Sequence, residues 1–165
     1  MKKYSLLFLF VSCLFACSDT EKNMPRLELE TILLNGGEKD YSQNLNDILP
    51  LSQGDYINVS FLLDGNGTDL KTFVVKNDNE NIESVIMPAF PSDEIADEFT
   101  DKGVLGYKDG IQHSSIAVKL TVRTARTERL RVGFYLNSKA PNSKGAIYYL
   151  DLETTIQPRE VEEEE

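Results

Sequence analysis

Ile116-Ala117-Val118-Lys119-Leu120-Thr121-Val122-Arg123 sets large apolar residues against small or polar ones at every second position. A period of two sends successive side chains to opposite faces, so this stretch predicts a β-strand with one face on a core and one in water. The same pattern continues downstream. Leu130, Val132, Phe134 and Leu136 alternate with Arg131, Gly133 and Tyr135. Tyr148, Leu150, Leu152 and Ile156 share a parity against Tyr149, Asp151 and Glu153. Polar turns at Thr124–Glu128 and Asn137–Gly145 separate the three. They predict an antiparallel meander with one wet face.

Upstream, Leu27, Leu29, Thr31 and Leu33 oppose Glu28 and Glu30, a further half-buried strand. Asn35-Gly36-Gly37 follows, and Asn-Gly suits a type I′ turn because both central residues need positive φ. Glu38 to Tyr41 can then pair back. Leu45, Ile48 and Leu49 predict one irregular or helical turn, stopped by Pro50. Ile57, Val59, Phe61 and Leu63 share a face, Asp64 to Asp69 is a Gly/Asn/Asp turn, and Leu70–Lys76 and Ile82–Met87 are further strands. Ser92–Phe99 is the helical candidate: Ser92 can cap, Asp93 and Glu94 suit the positive end of the dipole, and Ile95 and Phe99 fall at i and i+4. Val104–Tyr107 with Asp109-Gly110 and Ile111 predicts a second hairpin.

Seven or more strands in one chain predict an all-β, two-layer antiparallel sandwich, with a partly closed barrel as the alternative. Leu51-Ser52-Gln53-Gly54-Asp55 enters a strand, and a Gly-rich turn joins it to the next. Over Leu51 to Val75 this resembles the immunoglobulin-like modules of Bacteroidota lipoproteins. The resemblance implies an immunoglobulin-like β-sandwich with one short helix, and carries no functional residues. The domain is expected over 26–157.

The N-terminus reads as an address. Lys2 and Lys3 precede the apolar run from Leu6 to Phe15, which Ala16 closes. This is the order of a secretory signal. The run is shorter than the ~20 residues that span a bilayer. Leu14-Phe15-Ala16-Cys17 resembles the lipobox of bacterial lipoproteins, which implies cleavage after residue 16 and acylation of Cys17. Residues 17–25 then form a lipidated tether. Asp19 and Glu21 resemble the acidic surface-export signal of Bacteroidota lipoproteins, which implies an outer-membrane lipoprotein exposed at the surface; a plain flexible linker is the alternative reading of the same residues. Residues 158–165, with Glu160 and Glu162 to Glu165, are expected to be a disordered acidic tail.

Removing residues 1–16 from 165 leaves 149 residues. Taking Lys2 and Lys3 from the 17 basic residues leaves 15 against 27 acidic ones, a balance of −12. Such a charge argues against nucleic acid as a partner and against lying flat on an anionic membrane. Cys13 leaves with the signal and Cys17 carries lipid, so neither a disulfide nor a cysteine metal site is expected in the folded part. No cofactor is expected.

Few residues invite a chemical reading. Asp64-Gly65-Asn66-Gly67-Thr68-Asp69 places oxygens at alternate positions, but Asp69 and Val75 stand where a calcium loop has glycine and glutamate. A hairpin turn explains the same residues. His113 is the one histidine, so a histidine zinc site is not expected. Ser114 and Ser115 adjoin it without a Gly-x-Ser-x-Gly frame. Tyr135 and Tyr149 point away from the core; if their strands pair, they make an aromatic platform for a glycan or peptide, or a cross-strand packing pair. Arg123, Arg126, Arg129 and Arg131 gather at one hairpin. They would receive an anionic partner, or pair with Glu128, Asp151 and Glu153. The expected function is a non-enzymatic, lipid-anchored binding or scaffold module of the cell envelope, with a glycan or envelope protein as ligand. The alternative is a structural subunit of a surface assembly, ahead of a hydrolase.

Overall fold

The computed structural model describes residues 24–87, 92–99 and 102–159. The expected signal peptide, Cys17 with the tether as far as Asn23, and the acidic tail from Glu160 lie outside the described residues. Among the described residues nine strands form: β1 (Arg26–Leu34), β2 (Tyr56–Asp64), β3 (Leu70–Lys76), β4 (Ile82–Met87), β5 (Ile95–Phe99), β6 (Val104–Tyr107), β7 (His113–Val122), β8 (Glu128–Ser138) and β9 (Ala146–Thr154). Single 3-10 turns occupy Leu45–Asp47 and Ser92–Glu94.

The strands make two antiparallel sheets, one in the order β1-β2-β7-β4 and one in the order β5-β6-β3-β8-β9. These match the A-B-E-D and C″-C′-C-F-G layers of a variable-type immunoglobulin sandwich. The chain order differs: β4, at the D position, precedes the two outer strands of the larger sheet instead of following them, and the outermost of these, β5, precedes β6. The alternating residues read from the sequence fill the space between the layers. Ile57, Val59, Phe61, Leu63, Val118, Leu120, Val132, Phe134 and Leu150 are all buried. At the centre Phe61 lies 4.7 Å from Phe134, 5.4 Å from Tyr148 and 6.2 Å from Phe73, ring centre to ring centre. Tilted and edge-on pairs of this kind add to the burial of the rings themselves.

Several local expectations change. Ser92–Phe99 is not a helix: a three-residue turn leads into β5, which pairs Ile95 with Tyr107 and Asp97 with Gly106. So short a helix would leave most of its N–H and C=O groups without intrahelical partners, whereas the edge of β6 supplies them. The Asp64–Asp69 turn is no hairpin. Asn66 (φ 52°) and Gly67 (φ 82°) turn the chain from β2 in one sheet to β3 in the other. The expected hairpin after β6 likewise crosses between sheets, and so does the link from β7 to β8. Of the three-strand meander, β8 and β9 pair directly and β7 lies opposite them. The reason is general: alternation reports a buried face, and both layers of a sandwich bury theirs in the same core.

In β1 the register moves from Leu29↔Phe61 to Thr31↔Ser60, so Glu30 is the extra residue of a bulge. Beyond it the inward parity flips, and Ile32 is buried where Leu33 was expected. Ile156 lies past β9 and is exposed, not on its inner face. The Asn35-Gly36 turn forms as expected, with φ 48° and 76° and Gly37 N donating to Leu34 O at 2.8 Å. Its return arm pairs at one bridge, Leu33↔Asp40.

The end of the sandwich near Leu51 is closed by a polar clasp. The buried Asp55 carboxylate accepts from Asn35 Nδ2 at 2.8 Å, Ser52 N at 2.9 Å and Arg159 Nε at 3.1 Å. Arg159 also donates to Ile48 O at 2.8 Å. Burial alone would raise the Asp55 pKa, but the bonds from Asn35, Ser52 and Arg159 outweigh it and hold the carboxyl below its ordinary value.

Candidate functional site

The larger sheet turns one face to the core and the other outward. Register fixes what the outer face carries. Val104, Val74, Tyr135 and Ile147 form one row across β6, β3, β8 and β9. Lys76, Gly133 and Tyr149 form the next, followed by Arg131 with Asp151 and Arg129 with Glu153. Ile147 and Tyr149 are 53% and 50% exposed, unusual for large apolar groups on a sheet face.

The two tyrosines meet as the sequence reading required. Their ring centres stand 6.2 Å apart at 89°, and Tyr135 Oη donates to Tyr149 Oη at 3.4 Å. That bond holds the Tyr135 phenol above its ordinary pKa. The perpendicular setting matters for the platform. Two coplanar rings would receive a flat ligand across both faces; an edge-to-face pair offers separate faces at right angles. The arrangement depends on Gly133. A Cβ there would lie 2.8 Å from Tyr135 Cε2 and 2.9 Å from its Oη, so the Tyr135 ring rests across the bare backbone of its own strand. A lone glycine at the centre of an otherwise alternating strand, two residues before a tyrosine, is the sequence signal for this seat.

The four arginines do not gather. Arg129 pairs with Glu153 at 2.7 Å and Arg131 grips Asp151 through Nε at 2.6 Å and Nη2 at 2.9 Å. The bond from Arg131 draws the Asp151 carboxyl below its usual value. The Arg131 guanidinium also lies 5.3 Å from the Tyr149 ring centre, a cation–π contact. Arg123 sits just beyond β7 in the other sheet and pairs with Glu83. Arg126 lies in the β7–β8 turn, where its carbonyl accepts from Thr154 Oγ1 at 2.7 Å. Glu128, the expected arginine partner, instead accepts from Asn81 Nδ2.

His113 and Ser114 are neighbours in β7 and so face opposite ways. The exposed His113 stands 3.4 Å from Asp64, while Ser114 Oγ donates to Glu94 at 2.6 Å. The two do not form a nucleophile–base pair. In the Asp64–Asp69 loop the carboxylates accept from backbone: Asp64 from Asn66 N at 2.7 Å and Asp69 from Gly110 N at 2.7 Å. Among the described residues no three His, Cys, Asp or Glu side chains come together as a metal site.

Two open grooves flank the tyrosine pair. One, of about 680 Å³, runs along β9 from Tyr148 to Glu153, with Leu45 and Leu49 as its far wall. The other, of about 440 Å³, lies on the Tyr135 and Ile147 side. Ile147 escaped the sequence reading, although an apolar residue on the polar parity of Tyr149 and Asp151 was visible.

Residues 17–154 match the family model described as a domain of unknown function, DUF5035. No curated protein matches the chain in sequence. Among solved structures it is similar to a family 123 glycoside hydrolase from Clostridium perfringens, described for glycolipid glycan hydrolysis, at 11% identity and a TM-score of 0.40. The alignment covers 79% of this chain and 27% of the hydrolase, so the chain spans about a quarter of that enzyme. A likeness of that extent carries no activity from one chain to the other.

Proposed function

The chain belongs to the DUF5035 family, and from that premise we propose that it is a non-catalytic binding module, held at the outer membrane by lipid on Cys17. Its ligand, a glycan or an envelope protein, docks on the outer face of the five-stranded sheet. The observation that carries this reading is the exposed Tyr135–Tyr149–Ile147 surface seated on Gly133, with a groove on either side. A fold optimised for stability alone gains little from a half-exposed isoleucine and tyrosine on a sheet face, whereas such groups are the usual anchors of a recognised ligand. Arg131 adds a charged contact beside the Tyr149 ring.

The lipid anchor rests on Leu14-Phe15-Ala16-Cys17. Several acyl chains on one terminus anchor stably where a single chain does not. Membrane fractionation tests it: Cys17→Ser is expected to release the domain, and a variant still retained would refute the lipid anchor. A glycan array tests the binding face. Hits are expected to be lost in Tyr135→Ala and Tyr149→Ala; hits unaffected by either change would refute the tyrosine site.

A second reading, a structural subunit of a surface assembly, is favoured by β9. It is the last strand of its sheet, and Leu51 pairs with its end at Glu153 and Thr155. Leu51 N bonds Glu153 O, so by alternation Ile147, Tyr149 and Asp151 also direct their main-chain groups to the open side. Such an edge accepts an added strand. Co-purification from detergent-solubilised membranes checks this reading, and a strictly solitary protein counts against it.

A further inference from the structure

The smaller groove has a composition of its own. Its floor is Val74, Tyr135 and Ile147, and its rim carries Lys76, Lys102 and Lys144. Every charged residue lining it is a lysine, in a chain with 27 acidic residues against 17 basic ones. By register the floor is one cross-strand row, about 10 Å from β3 to β9 at ~4.8 Å per strand spacing. Lys76 has an ion pair with Asp78 at 3.6 Å, but both side chains are largely exposed, so a ligand anion displaces it at little cost.

The occupant is constrained by what the groove lacks. β3 and β8 are interior strands, each paired on both sides, so across the floor an extended peptide finds open main-chain groups only at the β9 edge. Over the rest of the floor recognition is left to side chains: an aromatic and aliphatic surface for the face of a ring, and ammonium groups for anions at its edge.

We propose that this groove binds an acidic oligosaccharide, one whose rings carry carboxylate or sulfate, with Tyr135 and Ile147 against the ring and Lys76 and Lys144 on the anion. The proposal rests on the binding-module reading and names its ligand class. Titration calorimetry tests it with the intact domain and four probes: tetragalacturonate, a heparin-derived tetrasaccharide, neutral maltotetraose and a tetraglutamate peptide. Binding is expected for one or both acidic sugars and not for maltotetraose. The affinity should fall as the screening length shrinks from about 10 Å at 0.1 M salt to about 3 Å at 1 M. Lys76→Gln combined with Lys144→Gln should weaken it at least tenfold with an unchanged melting temperature, and Tyr135→Ala should abolish it. Equal binding of maltotetraose, preference for tetraglutamate, or indifference to the lysine changes would overturn the acidic-sugar assignment. In those cases the binding-module reading stands if Tyr149→Ala still removes the interaction. Failure of all four probes would overturn the acidic-sugar assignment, and an empty glycan array with no envelope protein co-purifying would overturn the binding-module reading as well.

Discussion

Replacing Gly133 with alanine separates the site from the fold that carries it. The new methyl would stand 2.8 Å from Tyr135 Cε2, 2.9 Å from Oη and 3.1 Å from Cζ. Comfortable carbon contacts are ~3.5–4.0 Å, so the ring has to withdraw by about an ångström. It can do so, because the obstructing atoms are the far end of a half-buried side chain with solvent beyond. Two effects on stability then oppose each other. Alanine restricts the unfolded chain, a gain of about 0.4–1 kcal/mol where the backbone conformation permits it, and Gly133 is not in the left-handed region. Against this, the edge-to-face contact with Tyr149 is lost, an effect of comparable size and opposite sign. The melting temperature should therefore move by less than about 4 °C. Nuclear Overhauser contacts between the two rings should disappear, and binding at this face should fall with them. A drop beyond about 8 °C would show that the methyl is not accommodated by ring movement. Unchanged ring contacts would show that Tyr135 does not rest on Gly133.

Phe61→Ala removes the ring at the centre of the four-ring cluster and should cost about 3–5 kcal/mol in denaturant unfolding; a loss under about 1 kcal/mol would contradict its central role. Asp55 has a folded pKa below the unfolded value of about 3.9, so its contribution is fully present above that pH and is lost as pH falls through the folded value. Accordingly the stability gap between wild type and Asp55→Asn should be widest at about pH 5–7 and close toward about pH 2; a gap independent of pH would refute the carboxylate clasp. Gly54 has φ 88°, and a methyl added there would meet no atom within 4 Å. Gly54→Ala therefore isolates the backbone term and should cost about 1–2 kcal/mol in denaturant unfolding, with Gly54→Asn milder; an alanine variant as stable as wild type would contradict the left-handed turn.

The sequence made the sandwich legible because its alternation was long and clean in β2, β7, β8 and β9. Strand existence and core membership followed from it: Phe61, Phe134 and Leu150 are buried where the pattern put them. Sheet membership did not follow. A turn such as Asn66-Gly67 serves a hairpin or a crossing between layers with the same backbone angles, and only the partner strand, distant in sequence, decides which. The bulge at Glu30 was hidden for a related reason, since one extra residue shows only against a partner register. At the site, pairing of β8 with β9 brought Tyr135 to Tyr149 as the parity argument required. The arginines failed to gather because nearness in sequence around a turn ended in two different sheets, with Arg123 in one and Arg129 and Arg131 in the other. The lysine rim was invisible in advance: Lys76, Lys102 and Lys144 come from three separate segments that meet through strand pairing.

The chain enters and leaves the sandwich at opposite poles, and this governs how it bears load. β1 begins at the end where Arg26 faces Asp64, while β9 finishes at the opposite end, where Thr154 meets Leu51. Both strands run in the same direction, each hydrogen-bonded along its length to one neighbour, β2 or β8. A pull applied through the two ends acts along these strands, not across them. The ladder bonds of β1 with β2, and of β8 with β9, must then give way together in shear instead of opening one after another as a zipper does. Arg159, tied to Asp55 and Ile48, would be the first link to yield. The domain thus meets tension between its two poles with whole ladders loaded in shear.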